Sequence, residues 1–136
     1  MGYRQLDHTA DVALEIWAPS EEELLAEGGR AIIELLVDET ELPSGSADRT
    51  VTIEALDPED RLVRWLNEIL SLAISDGYLL THAALSLSPP GSLHAELKGQ
   101  ADGFRLLRNE LKSVTYHDLR LWREGGTWRA RVVIDV

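Results

Sequence analysis

The apolar residues of this chain switch between two periods, and the switches mark out its elements. Val12, Leu14 and Ile16 alternate with other residues over 12–17, the spacing of a half-buried strand, and a shorter extended run over 4–7 precedes it. The period then lengthens. Leu24, Leu25, Gly28, Ala31, Ile32, Leu35 and Leu36 fall on one helical face, behind Ser20 and Glu23 at capping-box spacing, and the helix should end near Val37. The pair Gly28-Gly29 in mid-helix costs roughly 1 kcal/mol per glycine relative to alanine, so the apolar-face Gly28 predicts close approach to a sheet. A second helix starts at Asp57-Pro58-Glu59-Asp60, with aspartate as cap, proline in the first position and acids in the first turn. Its buried stripe is Leu62, Val63, Leu66, Ile69, Leu70, Ala73 and Ile74, and Asp76-Gly77 stops it. Trp65, Asn67 and Glu68 lie beside or opposite that stripe and read as packing or surface residues.

Everything else reads as strands, over 50–55, 79–88, 92–98, 112–116, 117–123 and 127–135. Pro89-Pro90-Gly91 and Glu124-Gly125-Gly126 are the turns of two hairpins. Hairpins rather than helical crossovers dominate the second half, which predicts an α+β class: two helices packed on one face of a mostly antiparallel β-sheet. At this length a single domain over 1–136 is expected, and Leu42-Pro43-Ser44-Gly45-Ser46 is a loop too short to separate two.

Charge narrows the function classes. With 24 acidic against 13 basic residues the formal net charge is −11, and only Lys98 and Lys112 are lysines. Nucleic-acid grip depends on cations that displace counterions from phosphates, and the cations here look dispersed, without a basic stripe or aromatic-basic interleaving. Tight direct binding of RNA or DNA is therefore not expected. A basic protein partner suits the charge, and so does simple solubility through self-repulsion. The chain lacks cysteine, an apolar leader and any run near the ~18 apolar residues of a membrane helix, which predicts a cytoplasmic protein without thiolate metal sites.

Candidate chemistry sits at the two ends. Asp11 opens an apolar strand, and Asp135 and Val136 close another. If those strands are neighbours, Asp11, Asp135 and the terminal carboxyl of Val136 form a cluster of hard oxygens that repel one another unless a cation lies between them. Oxygen-only ligation favours calcium, magnesium or manganese over zinc. The same residues also fit an ordinary turn and a solvated terminus. His8 and His117 are candidate acid-base groups, Tyr116-His117 is expected at a strand end near Asp11 or Asp135, and Lys112 stands out as a lysine in an arginine-rich set. Neither a glycine-rich phosphate loop nor a recognisable nucleophile-base pair is present, which argues against a self-contained enzyme.

Four strings add a resemblance. Asp7-His8-Thr9-Ala10-Asp11, Trp65-Leu66-Asn67-Glu68, Lys112-Ser113-Val114-Thr115-Tyr116-His117-Asp118 and the segment Trp128-Arg129-Ala130-Arg131-Val132-Val133-Ile134-Asp135-Val136 occur in that order over essentially the whole chain. Together they resemble the archease family. The resemblance implies the same architecture and a non-catalytic role as partner of the GTP-dependent tRNA-splicing RNA ligase. That ligase joins a 3′-phosphate or 2′,3′-cyclic-phosphate end to a 5′-hydroxyl end. The family's part is to promote guanylylation of the ligase and so permit multiple turnover. It also implies a divalent-metal site, associated with calcium, whose ligands map onto Asp11, Asp135 and Val136. Lys112 matches a position linked to activation, and His117, in the same string, is a second activation candidate. The loop over 99–109 and the double glycine depart from the family's usual pattern. A second reading within the family is a chaperone-like binding protein for an RNA-modifying methyltransferase. A free-standing metal-dependent phosphohydrolase ranks below both.

Overall fold

Ser20 receives the Glu23 amide on its hydroxyl and starts α1 (Glu21–Leu36), and Asp57 receives the Asp60 amide at 2.8 Å and starts α2 (Pro58–Asp76). The structure, a computed structural model, describes residues 1–6 and 11–136. β1 (Gly2–Leu6) and β2 (Asp11–Ala18) precede α1, and β3 (Ala47–Glu54) separates the helices. After α2 come β4 (Leu79–Ser88), β5 (Ser92–Gln100), β6 (Ser113–Glu124) and β7 (Thr127–Asp135). Gly77 ends α2 in a left-handed conformation at φ 65°, where glycine has no Cβ to clash.

The class and the two helices are as expected, and all strand pairs are antiparallel. The strands are divided more finely than the single sheet that the sequence suggests. Four form one sheet in the order β1-β2-β7-β6, and three form another in the order β3-β5-β4. α1 packs on β2 and β4, and α2 on β6, β3 and β4, so both helices join the sheets around one core. The expected strands 112–116 and 117–123 are one strand, β6, whose register against β7 is interrupted between Thr115 and Arg120. Asp118 lies within that interruption at φ 52°, a left-handed conformation typical of a bulge and one that aspartate tolerates better than most residues.

Close approach explains the double glycine. A Cβ on Gly28 would sit 3.0 Å from a Leu66 methyl and 3.2 Å from the Ile16 Cδ1, between α2 and β2. The α2 stripe is wider than its apolar spacing suggests: Trp65 is fully buried and its Nε1 donates to the Leu25 carbonyl at 2.7 Å, whereas Ile74 at the far end is exposed. The atypical loop has a structural role as well. Its Arg108 and Asn109 amides donate to the Leu36 carbonyl at 2.7 and 3.2 Å, and the Asn109 side chain donates to the Leu35 carbonyl at 2.8 Å. Those carbonyls lie in the last turn of α1, where the helix has no partner to offer them.

Candidate functional site

In β2 and β7, Leu14, Ile16, Ala18, Ala130, Val132 and Ile134 are buried in the common core. Alternation turns Asp11, Glu15, Trp17, Arg129, Arg131 and Asp135 to the opposite face. The register pairs Asp11 directly with Asp135, and Ser113 of β6 pairs Asp135 from the other side. The Lys112 amide donates to the Asp135 carbonyl at 2.8 Å, extending the ladder one residue beyond β6. Directly opposed side chains on one face of an antiparallel pair have Cβ atoms ~4.5–5.5 Å apart. Two carboxylates are thus held side by side at the end of the sheet, with Lys112 and Val136, both exposed, adjoining them in the chain or the ladder.

This set is the one expected from the two ends of the sequence, less its histidines. His117 lies four residues past Ser113, ~13 Å along an extended strand, and its Nε2 faces the Asp118 carboxylate at 3.3 Å. Tyr116-His117 is therefore in the β6 irregularity and not at the strand end beside Asp135. Asp7 and His8 lie outside the described residues. Among the described residues no group of three or more His, Cys, Asp or Glu is placed to hold a metal ion. The donor types that the register brings together are two opposed carboxylates, with Val136 next to Asp135 in the chain. Hard oxygens in that small number fit a calcium or magnesium ion that keeps waters in its shell, and they do not fit the nitrogen and sulfur set of structural zinc.

Asn67, expected to be an ordinary packing or surface residue, and Tyr116, expected at a strand end, hold this part of the molecule through long-range contacts. Asn67 on α2 donates from Nδ2 to the Val114 carbonyl at 2.9 Å and accepts the Val114 amide on Oδ1 at 2.8 Å. Its side-chain amide thereby acts as a strand neighbour for the outer edge of β6, two residues from Lys112. Tyr116 donates its hydroxyl to the Asp60 carboxylate at 2.5 Å. That hydrogen bond, the Leu56 amide and Arg64 pull the Asp60 carboxyl down to about 2, and the same contact with Asp60 pushes the Tyr116 hydroxyl above its ordinary value. The only hint of either contact was that both residues fall in the Trp65-Leu66-Asn67-Glu68 and Lys112–Asp118 strings.

The cations are less dispersed than they look along the chain. Eight of them, at positions 4, 30, 49, 61, 64, 98, 108 and 129, form ion pairs. Among the described residues Arg105, Lys112, Arg120, Arg123 and Arg131 form none, and the last four lie in β6 and β7 or directly before β6. Aromatic rings are interleaved with them, contrary to the expectation from spacing: the Arg120 guanidinium stacks 4.2 Å from the Trp122 ring centre, and that of Arg123 lies 5.3 Å from Trp128.

Fold and site together define a small α+β domain of two antiparallel sheets, carrying an acidic pair where β2 and β7, the central strands of one sheet, meet. The chain belongs to the archease protein family, whose model matches residues 3–136. Protein archease of Methanopyrus kandleri is 32% identical over 143 residues, covering 100% of both chains, and that of Methanosarcina mazei is 30% identical over 98% of this chain and 95% of the relative. The fold is similar to the solution structure of Methanobacterium thermoautotrophicum protein 1598, at a TM-score of 0.79 and 26% identity over 99% of each chain. It is also similar to the crystal structure of a Thermotoga maritima protein described as an archease and possible chaperone, at a TM-score of 0.64 and 25% identity over 98% of this chain and 96% of that one. Among the described residues no helix is long and apolar enough to cross a membrane.

Proposed function

We propose that this protein activates a tRNA-splicing RNA ligase in the cytoplasm, promoting guanylylation of the ligase and multiple turnover through the Asp11–Asp135 end of its sheet. The observation that carries the proposal is the register that opposes Asp11 and Asp135, with Lys112 bonded through its amide to Asp135. Family membership supports the choice of partner. Asp11, Asp135 and an oxygen of Val136 would hold a divalent cation, calcium before magnesium or manganese, which would supply positive charge and Lewis acidity next to the nucleotide phosphates.

The chain's own residues do the rest. Two opposed carboxylates on a three-strand ladder form an acidic tip, and Lys112, just before β6, adds an exposed ammonium. Nucleotidyl transfer depends mainly on alignment and on stabilising charge at the phosphates, so a tip of this kind accelerates it without supplying a nucleophile. His117, out of register with the tip, serves the bulge and contributes less to activation than Lys112.

The test has two arms. Calcium and magnesium are titrated into wild type and Asp11→Ala; wild type should bind and the variant should lose at least ~10-fold in affinity, the least that even an outer-shell change typically costs. Equal, negligible binding in both would remove the cation from the proposal. Ligation of a 3′-phosphate RNA by the ligase is then followed with and without this protein. The ligase should pass from about one turnover to many, and an unchanged yield would remove the ligase. In that outcome the chaperone-like reading, toward an RNA-modifying methyltransferase, would take its place, in keeping with the description of the Thermotoga maritima structure.

A further inference from the structure

On the same face of the β1-β2-β7-β6 sheet as the acidic pair lies a second like-charge pair of opposite sign. Arg120 and Arg131 are direct register partners, so two arginines are opposed across β6 and β7, the Arg120 guanidinium lying over the Trp122 ring. Like charges directly opposite destabilise a sheet. The chain has 24 acidic residues, yet the one opposite Arg131 in the register is committed elsewhere. Glu15 is the β2 partner of Arg131, but its carboxylate pairs with Arg4 at 2.9 Å and approaches Arg129 at 3.9 Å. One row further along, Trp17, Arg129 and Trp122 are aligned across β2, β7 and β6, and Arg120 is stacked on Trp122. Both tryptophans are partly buried, with intermediate exposure.

We propose that this face is a binding surface for single-stranded RNA, with phosphate between Arg120 and Arg131 and a base stacked against the Trp17–Trp122 row. The chemistry of the face favours that occupant. Opposed arginines without an acid partner fit a bridging phosphate, and flat indole and guanidinium planes give an unpaired base a stacking platform on a four-stranded sheet. An acidic peptide would satisfy the arginines but leave the tryptophan row unused. The net charge of −11 makes the interaction weak in the free protein and local to this face. The inference extends the proposed role by giving the RNA, as well as the ligase, a contact with this protein. Because its test omits the ligase, either idea can fail alone.

The probe is a single-stranded oligouridine of about ten nucleotides, within the usual footprint of such surfaces, titrated at low salt and followed through the indole N–H resonances. The Trp17 and Trp122 signals should shift, while that of the buried Trp65 stays in place. The double variant Arg120→Ala/Arg131→Ala should bind at least ~10-fold more weakly, and its salt slope should fall by roughly 0.7, the contribution of the one bridged phosphate on a single strand. Arg120→Lys/Arg131→Lys should recover most of the salt slope, and Arg49→Ala on β3 should behave as wild type. Unmoved Trp122 signals in wild type, or equal affinity in the double alanine variant, would overturn the proposal. Binding of a polyglutamate peptide as tight as that of the RNA would overturn it as well and assign the face to an acidic protein.

Discussion

At Val114, on the outer edge of the four-stranded sheet, the backbone N–H and C=O are both taken by the side chain of Asn67. Removing that amide leaves two half-buried polar groups without partners. Asn67→Leu should therefore destabilise the fold by about 1–3 kcal/mol in urea denaturation, and an unchanged midpoint would show that water replaces the amide. Asp60 makes the complementary case for charge. Its carboxyl is held at about 2 in the folded state, against ~3.9 in an unfolded chain, first by the Tyr116 hydroxyl and then by the Leu56 amide and Arg64. A depressed carboxyl contributes stability that is present above about pH 4 and lost as the pH falls through about 2. Thermal melts of wild type and Asp60→Asn should thus converge across that window, and curves that stay parallel would contradict the assignment. Residues of this kind are hard to read from sequence. Asp11 and Asp135 stand out because each charge borders an apolar strand, whereas Asn67 and Tyr116 matter through partners 47 and 56 residues away.

Helices proved more legible than strands because their signals are local. Capping by Ser20 and Asp57, proline at the head of α2 and glycine at its end are all readable within a turn of the boundary they set. β6 was read as two strands because Tyr116-His117-Asp118 is polar and breaks the alternation; a bulge, with Asp118 at positive φ, absorbs the break without ending the strand. Helix contact with a sheet was legible through glycine alone. At Gly28 the neighbours Leu66 and Ile16 leave space for little beyond a hydrogen, so a branched side chain must displace both. Gly28→Val should lower stability by about 1–3 kcal/mol despite the better backbone restraint, as overpacked cores do. Gly125→Ala, in the open β6–β7 turn where nothing lies near, tests only the cost of a positive φ and serves as the control for backbone strain.

For the molecule as a whole, the decisive fact is one that periodicity cannot supply: which strands are neighbours. The pairing of β2 with β7, which builds the four-stranded sheet, joins chain segments more than a hundred residues apart. That pairing opposes Asp11 to Asp135, and the pairing of β6 with β7 opposes Arg120 to Arg131 on the same face, giving the sheet an acidic end and a basic row in a strongly acidic protein. The most direct test of the activation proposal is the rate of ligase guanylylation by GTP with wild type and with Asp11→Ala, Lys112→Ala, Asp135→Ala and Glu22→Ala. Asp135 is exposed, Lys112 is exposed and Asp11 is at a strand end, so these variants should keep the fold, as circular dichroism would check. The first three should stimulate guanylylation at least ~10-fold less than wild type, the scale of a lost charge contact at a transferring phosphoryl group, while Glu22→Ala on the exposed start of α1 should match wild type. Equal stimulation by all four would contradict the account and move the activating surface away from the Asp11–Asp135 tip.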